Sequence, residues 1–206
     1  KSDRANGLTF RNYAAIPSEA GVTSGDYEVV QRTDTNTATA NSVLIDVNRY
    51  KNGDVTYDGT RDAKTYAGVS YGGNTAENNT ITLTGIASGN TVRYLSGGRS
   101  EGAAGGAVNN TVNLVGTGAG TLGEVYGGYV GNAANAADAT GNTVNLTGGS
   151  AQAIYGGYTN GSGKTTGNTV NLGDGTGLAA GADFSNTSIY GGSKADDVTG
   201  NTLNVK

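Results

Sequence analysis

The chain has 206 residues, of which 37 are glycine and one is proline, and it contains no cysteine, histidine, methionine or tryptophan. The missing cysteines exclude a disulfide framework and a thiolate metal site, and the missing histidines remove the commonest general base and metal ligand. The formal net charge of −4 argues against a nucleic-acid partner, and no apolar run reaches the roughly 18 residues of a membrane-spanning segment.

Residues 1–64 form a charged first region that holds 17 of the 30 charged residues. Unpaired strand edges at the end of a repeat array promote polymerisation, so a divergent charged segment is physically useful there. We predict that residues 1–64 are an N-terminal cap or a set of divergent repeat turns. Residues 41–45 resemble the later repeats only loosely, and their assignment as an early copy is left open.

Residues 65–206 contain two short motifs that alternate five times. The first motif, Tyr-Gly-Gly or Ser-Gly-Gly, occurs at residues 71–73, 96–98, 126–128, 155–157 and 190–192. The second, of the type Asn-Thr-Val-Asn-Leu, occurs at residues 79–83, 110–114, 142–146, 168–172 and 201–205. Two motifs that recur in a fixed order about every 30 residues predict an array of about five structural repeats.

The second motif alternates polar and apolar residues, which is the period of a strand with one buried face. Thr111 and Asn113 are predicted to point outward. The glycine pair of the first motif indicates a short strand that leads into a bend or a close backbone contact. Because one repeat holds too few apolar residues for a core, stability must come from stacking equivalent strands about 4.8 Å apart. The predicted inward columns contain Val112, Leu114, Val144, Leu146, Val170, Leu172, Leu203 and Val205. The predicted fold is therefore all-β, a parallel β-solenoid.

The Tyr-Gly-Gly copies, as at residues 155–157, and the Gly-Asn-Thr-Val-Asn-Leu copies, as at residues 167–172, resemble the passenger domains of bacterial type V autotransporters. The likeness covers about residues 66–206. It implies a right-handed parallel β-helix, export across the outer membrane, and display or release as an adhesin, a protease or a toxin. An extracellular or bacterial cell-surface location is the expectation that follows from it.

Candidate catalytic and metal-binding groups are few. The chain has no Ser-x-x-Lys motif, and it lacks the histidine that would activate a serine, so an activated nucleophile is not expected. The carboxylate pairs Asp196 with Asp197 and Asp54 with Asp58 are interpreted as solvated turn residues rather than as a glycosidase pair. Asp174 and the stretch 54–58 match no calcium-binding motif. We therefore predict no enzyme activity, no catalytic residue, no metal and no cofactor.

Two repeated surfaces are candidates for binding. The outward residues of the second motif form a ladder of hydroxyl and amide groups, similar to the surface that ice-binding solenoids present to a lattice, although stacked Asn and Thr also bond one another for structural reasons. The ladder consists of Thr111, Asn113, Thr143, Asn145, Thr169, Asn171, Thr202 and Asn204. The tyrosines of the first motif form an aromatic platform that can stack on glycan rings or pack against neighbouring turns. The platform consists of Tyr71, Tyr126, Tyr155 and Tyr190.

The sequence supports three functional hypotheses. The first is a structural or adhesin segment, secreted or displayed on the surface, whose solenoid faces and loops bind a host-surface protein or glycan or a neighbouring cell. The second is a self-associating subunit of an extracellular filament or coat. The third is an ice-binding protein that uses the Thr-x-Asn ladder.

Overall fold

The structure is a computed structural model of the chain. It describes the backbone of residues 8–12, 27–33, 38–39 and 42–45, together with residues 64–70, 75–86, 88–89, 91–193 and 197–206. All the regular elements among these residues are strands, and all but the first belong to turns of three strands each. The result is a β-solenoid, as the sequence predicts.

Three parallel sheets run along the solenoid, and each turn contributes one strand to each sheet. The first sheet contains β2 (Tyr27–Thr33), β5 (Lys64–Ser70), β8 (Thr91–Ser100), β11 (Thr121–Val130), β14 (Ala153–Thr159) and β17 (Ser188–Ser193). The second contains β3 (Ala38–Thr39), β6 (Ala76–Glu77), β9 (Ala107–Val108), β12 (Ala139–Thr140), β15 (Thr165–Thr166) and β18 (Val198–Thr199). The third contains β4 (Ser42–Ile45), β7 (Thr80–Leu83), β10 (Thr111–Leu114), β13 (Thr143–Leu146), β16 (Thr169–Leu172) and β19 (Thr202–Val205). Strand β1 (Leu8–Asn12) pairs with β2 in the antiparallel sense.

The third sheet keeps the copies of the second motif in register from turn to turn. Val112 pairs with Val144, and Val144 pairs with Val170. Strand β4 joins the same sheet, with Ser42 opposite Thr80, so residues 42–45 provide one further strand of this kind. Strands β3 and β4 lie before the division predicted at residue 64, yet they belong to the same sheets as the later repeats.

The main core consists of inward side chains of the first and third sheets, and a smaller cluster packs Ala107 and Ala139 of the second sheet with Val130. Val112, Val144 and Val170 are fully buried in one column, and Leu114 and Leu146 in the next. The burial of β10 and β13 alternates along the strand as the sequence predicts, with the apolar residues inside. In the outermost described turn, Leu203 and Val205 continue the two columns in register but are 50% and 73% exposed.

The described glycine pairs of the first motif lie within strands and do not end them, so the predicted bend is wrong. The alternative, a close backbone contact, is present, because a Cβ atom added at Gly127 would lie 2.4 Å from the carbonyl oxygen of Gly156. Strand β11 continues through Gly127 and Gly128 to Val130. Tyr126 and Tyr129, which flank this pair, are three residues apart, yet their ring centroids lie only 4.8 Å apart on the same outer face. The inward–outward alternation therefore shifts by one residue across the glycine pair.

The register also changes the assignment of the earliest copy of the first motif. Ser96 pairs with Tyr66, and Gly98 pairs with Gly68. Residues 66–68 are thus the structural counterpart of residues 96–98 in the preceding turn. Tyr71 itself lies outside the described residues.

Candidate functional site

The first asparagine of each second motif lies inside the solenoid, immediately before a strand of the third sheet. The side-chain amide of Asn110 donates to Oδ1 of Asn142 at 3.0 Å, and that of Asn142 donates to Oδ1 of Asn168 at 2.9 Å. Asn110, Asn142 and Asn168 are fully buried. We call the column of these residues the inner ladder. Its members are Asn79, Asn110, Asn142, Asn168 and Asn201.

Main-chain bonds fix the orientation of each amide in the inner ladder. Oδ1 of Asn142 also accepts the backbone N–H of Asn110 at 2.9 Å, and Nδ2 of Asn142 also donates to the carbonyl of Ala107 at 2.9 Å. Each buried amide thereby links neighbouring turns and two sheets, which satisfies polar groups that would otherwise be costly in the core.

The second glycine of the first motif makes room for the inner ladder. A Cβ atom added at Gly68 would lie 2.6 Å from Cγ of Asn79, and one added at Gly157 would lie 2.5 Å from Nδ2 of Asn168. Real Cβ atoms do not approach other atoms so closely. The two sequence motifs are therefore two halves of one packing unit, glycine opposite asparagine.

The predicted Thr-x-Asn ladder is assembled on the outer face of the third sheet. Its threonines pair Thr111 with Thr143 and Thr143 with Thr169, and its asparagines follow the same register. Both columns are half-buried through Thr169 and Asn171. The hydroxyls of Thr111, Thr143 and Thr169 make no hydrogen bond within the described part of the chain.

The asparagines of this outer face bond to one another. Asn145 donates to Oδ1 of Asn113, Asn171 to Oδ1 of Asn145, and Asn204 to Oδ1 of Asn171, each at 2.8 Å. We call this column of Asn113, Asn145, Asn171 and Asn204 the outer ladder. Its amides bond to the amides of neighbouring turns, whereas the neighbouring threonine hydroxyls remain available to a ligand.

The tyrosines of the first motif stack along the outer face of the first sheet. The ring centroids of Tyr126 and Tyr155 lie 5.1 Å apart with an interplanar angle of 11°, and those of Tyr155 and Tyr190 lie 5.1 Å apart with an angle of 8°. A second column stacks Tyr129 on Tyr158 at 5.2 Å. Tyr126 is therefore 3% exposed, and Tyr155 is covered on both faces by neighbouring rings, whereas Tyr190 is 44% exposed.

Charged residues complete the tyrosine surface. Arg99 occupies the register position of Tyr129 in the preceding turn, lies over the Tyr129 ring at 4.0 Å from its centroid, and forms an ion pair with Glu101. Glu124 accepts a hydrogen bond from the hydroxyl of Tyr126. Burial, and then this bond to a carboxylate, raises the pKa of Tyr126 well above its usual value.

Sequence reasoning did not single out Tyr66, Tyr94, Tyr129 and Tyr158, which complete this surface. Tyr129 and Tyr158 each follow a Tyr-Gly-Gly copy directly. The repetition of tyrosine at that offset was the available signal. Without the shift in alternation at the glycines, these tyrosines would be placed on the opposite face from Tyr126 and Tyr155.

The described carboxylates take part in turns and ion pairs. Asp174 accepts bonds from the hydroxyl and the backbone N–H of Thr176, and Asp183 accepts the same pair of bonds from Ser185. These bonds, led by those from the hydroxyls, lower the pKa of both carboxyls. Asp197 forms an exposed ion pair with Lys164 at 3.0 Å.

Three of the acidic residues considered above, Asp54, Asp58 and Asp196, lie outside the described residues. Within the described ranges, no three acidic side chains come close enough together to hold a metal ion. The structure also has no helix, within those ranges, of the length and hydropathy that a membrane crossing requires.

Comparison with known proteins places no relative beside this fold. No family model, no curated protein and no solved structure matches the chain.

Proposed function

We propose that the chain is a structural, adhesin-like element displayed on a bacterial surface or released from it, and that it holds binding loops on a rigid solenoid. The observation that carries this proposal is the contrast, within each turn, between a constant interior and variable connections. The interior repeats the same asparagine bonds and the same apolar columns, whereas the connections between strands differ in length. Variable loops on a rigid scaffold are a common arrangement for binding.

The connection between the third and first sheets shows this difference most clearly. Six residues, 147–152, join β13 to β14, whereas fifteen residues, 173–187, join the corresponding strands β16 and β17. Most of the longer connection is exposed to solvent. It leaves the register on either side unaltered, since Leu146 still pairs with Leu172 and Ala153 with Ser188.

A loop exchange tests the proposal. In the variant, residues 173–187 are replaced by the sequence of residues 147–152, which joins strands of the same register. We expect beads coated with the original chain to adhere to host or bacterial cells, and beads coated with the variant to adhere at least about tenfold less. This factor corresponds to about 1.4 kcal/mol of binding free energy.

A thermal melt of the variant shows whether its solenoid is intact. If beads coated with the original chain adhere no better than uncoated beads to every cell type tested, the adhesive role is wrong. Unchanged adhesion of the folded variant would exclude the 173–187 loop as its source.

A second candidate function is binding to an ice lattice through the threonine column of the third sheet. The observation in its favour is the register of Thr111, Thr143 and Thr169, whose hydroxyls are not used by the fold. The measurement is thermal hysteresis, which we expect Thr143→Tyr to abolish by interrupting the column. Hysteresis that is absent from the original chain, or unchanged in Thr143→Tyr, would remove this candidate.

A further inference from the structure

The long connection 173–187 folds back over the preceding turn and leaves a groove beside it. The groove has a volume of about 300 Å³, at the lower end of the range for small-molecule sites. One wall is formed by the start of β11 and the connection before β14, with Thr121, Ser150 and Gln152. The other wall is formed by Asp183 and Asn186 of the long connection.

The wall formed by the long connection is held in place by main-chain bonds to the preceding turn. The backbone N–H of Ala179 donates to the carbonyl of Thr147 at 2.7 Å, and that of Asp183 donates to the carbonyl of Gly149 at 2.9 Å. Phe184 packs against the apolar core. The hydroxyl of Thr187 bonds to the carbonyl of Ala151 at 2.6 Å. The groove is therefore largely preformed, which reduces the ordering cost of binding.

The polar side chains that line the groove are mostly free of internal partners. The amide of Gln152 and the hydroxyls of Thr121 and Ser150 are exposed and make no side-chain bond within the described residues. Asp183 uses Oδ1 for the turn with Ser185, which leaves its other carboxylate oxygen as an acceptor. The groove thus offers several donors and acceptors on both walls.

The charge of the lining selects among ligand classes. Among the described residues that line the groove there is no lysine or arginine, and Asp183 is the only charged one. A phosphate, a sulfate or an acidic sugar would meet a negative charge with no cation to balance it. A metal ion would find a single carboxylate, whereas hard cations take several charged oxygens. A neutral ligand with many hydroxyl groups can both donate hydrogen bonds to the polar side chains that line the groove and accept bonds from them.

Two nearly buried apolar residues also line the groove. Leu122 is 3% exposed and Ala151 is 8% exposed, and both line the groove. They offer a small apolar patch between polar walls, which suits the C–H face of a sugar ring whose rim carries hydroxyl groups.

We propose that this groove binds a neutral sugar unit of a glycan, with the Asp183 carboxylate and the Gln152 amide bonding to its hydroxyl groups. The inference rests on the proposed adhesive function, because it names the ligand class that one displayed loop recognises. The stacked tyrosines on the first sheet are not required for this binding.

The test is a glycan array that contains neutral, sialylated and sulfated sugars, followed by calorimetric titration of the best neutral sugar. Asp183→Asn keeps a carbonyl oxygen for the bonds from Ser185 but removes the negative charge. We expect it to weaken binding about tenfold or more, since a hydrogen bond to a charged group is stronger than one to a neutral group. Gln152→Ala is expected to weaken binding about threefold or more, as for a neutral hydrogen bond.

The matched control is Asp174→Asn, because Asp174 forms the same turn with Thr176 in the same connection but does not line the groove. It should change the affinity less than about twofold. Equal losses in the Asp183 and Asp174 variants would overturn the inference, and so would a preference for acidic sugars or no binding of any neutral sugar. If beads carrying the original chain still adhere to cells in that case, the adhesive function stands and only the groove assignment fails.

Discussion

The inner and outer ladders repeat the same residue type at the same spacing, immediately before each strand of the third sheet and within it, but the asparagines of the two ladders make different contacts. In the inner ladder, Asn142 is fully buried and bonds to two neighbouring amides, a backbone N–H and a backbone carbonyl. In the outer ladder, Asn145 is half-buried and bonds only to the amides above and below it. We therefore expect an asparagine to contribute strongly to the stability of the solenoid when it is buried and bonded to the main chain, and not merely because it belongs to a ladder.

The largest effect is expected from a charge on the inner face of strand β13, compared with the same charge on its outer face. Val144→Asp puts an unpaired carboxylate into a column in which Val112 and Val170 are also fully buried. We expect it to lower the free energy of unfolding by at least about 4 kcal/mol, and Asn145→Asp by about 1 kcal/mol. Urea denaturation followed by circular dichroism measures both. Equal losses would mean that the two faces are not distinguished, contrary to the observed burial.

The next effect compares the two ladders directly. Asn142→Ala removes the acceptor of the Asn110 backbone N–H, one acceptor of the Asn110 side-chain amide and a donor to the Ala107 carbonyl, and it leaves these polar groups in the core. Because an unsatisfied buried group costs about 1–3 kcal/mol, we expect a loss of about 3 kcal/mol. Asn145→Ala should cost less than about 1 kcal/mol, because water can replace its partners. A larger loss for Asn145→Ala would reverse the conclusion drawn from burial.

The pairing of glycine with asparagine can be tested by a double-mutant cycle. A Cβ atom at Gly128 would overlap the amide of Asn142. We therefore expect Gly128→Ala to cost about 1–3 kcal/mol in the original chain, as overpacking does. In the Asn142→Ala background the obstructing amide is gone, so the same change should cost clearly less. Additive losses would show that the cost of the added Cβ atom does not come from the Asn142 amide.

The smallest effect is expected at the stacked tyrosines of the first sheet, where the pH changes the stability. Burial raises the pKa of Tyr126, Tyr129 and Tyr155 above the usual value of about 10. A group whose pKa is raised on folding gives stability that is complete below its unfolded pKa and is lost as the pH rises through the folded pKa. We expect the melting temperature to be level from about pH 7 to 9 and to fall above about pH 10.

The control for the alkaline transition is Tyr126→Phe, which keeps the ring and removes the ionisable hydroxyl. Its melting temperature should fall less steeply above about pH 10 than that of the original chain. An equally steep fall would place the alkaline sensitivity elsewhere in the chain.

Periodicity explains why the strand faces of the third sheet were predictable. In residues 111–114 and 143–146, polar and apolar residues alternate, and a one-residue shift would bury every polar side chain, so the sequence permits one arrangement only. The inner asparagines were not predictable in this way. Asn142 stands directly before the alternating segment, and a polar residue next to an exterior threonine would ordinarily be placed in a solvated turn. The two-residue strands of the second sheet, such as Ala139–Thr140, are too short to show a period at all.

The sequence alone therefore determined the solenoid class, the two inward columns of the third sheet and the register of the Thr-x-Asn face, because these depend on local alternation repeated at a recurring spacing. The tertiary structure decided which asparagines are inside, why glycine stands opposite them, and which tyrosines share a face. It also decided where the connection 173–187 forms a groove with the preceding turn. Each of these depends on contacts between residues about 30 positions apart in the chain, and such contacts exist only when one turn is stacked on the next.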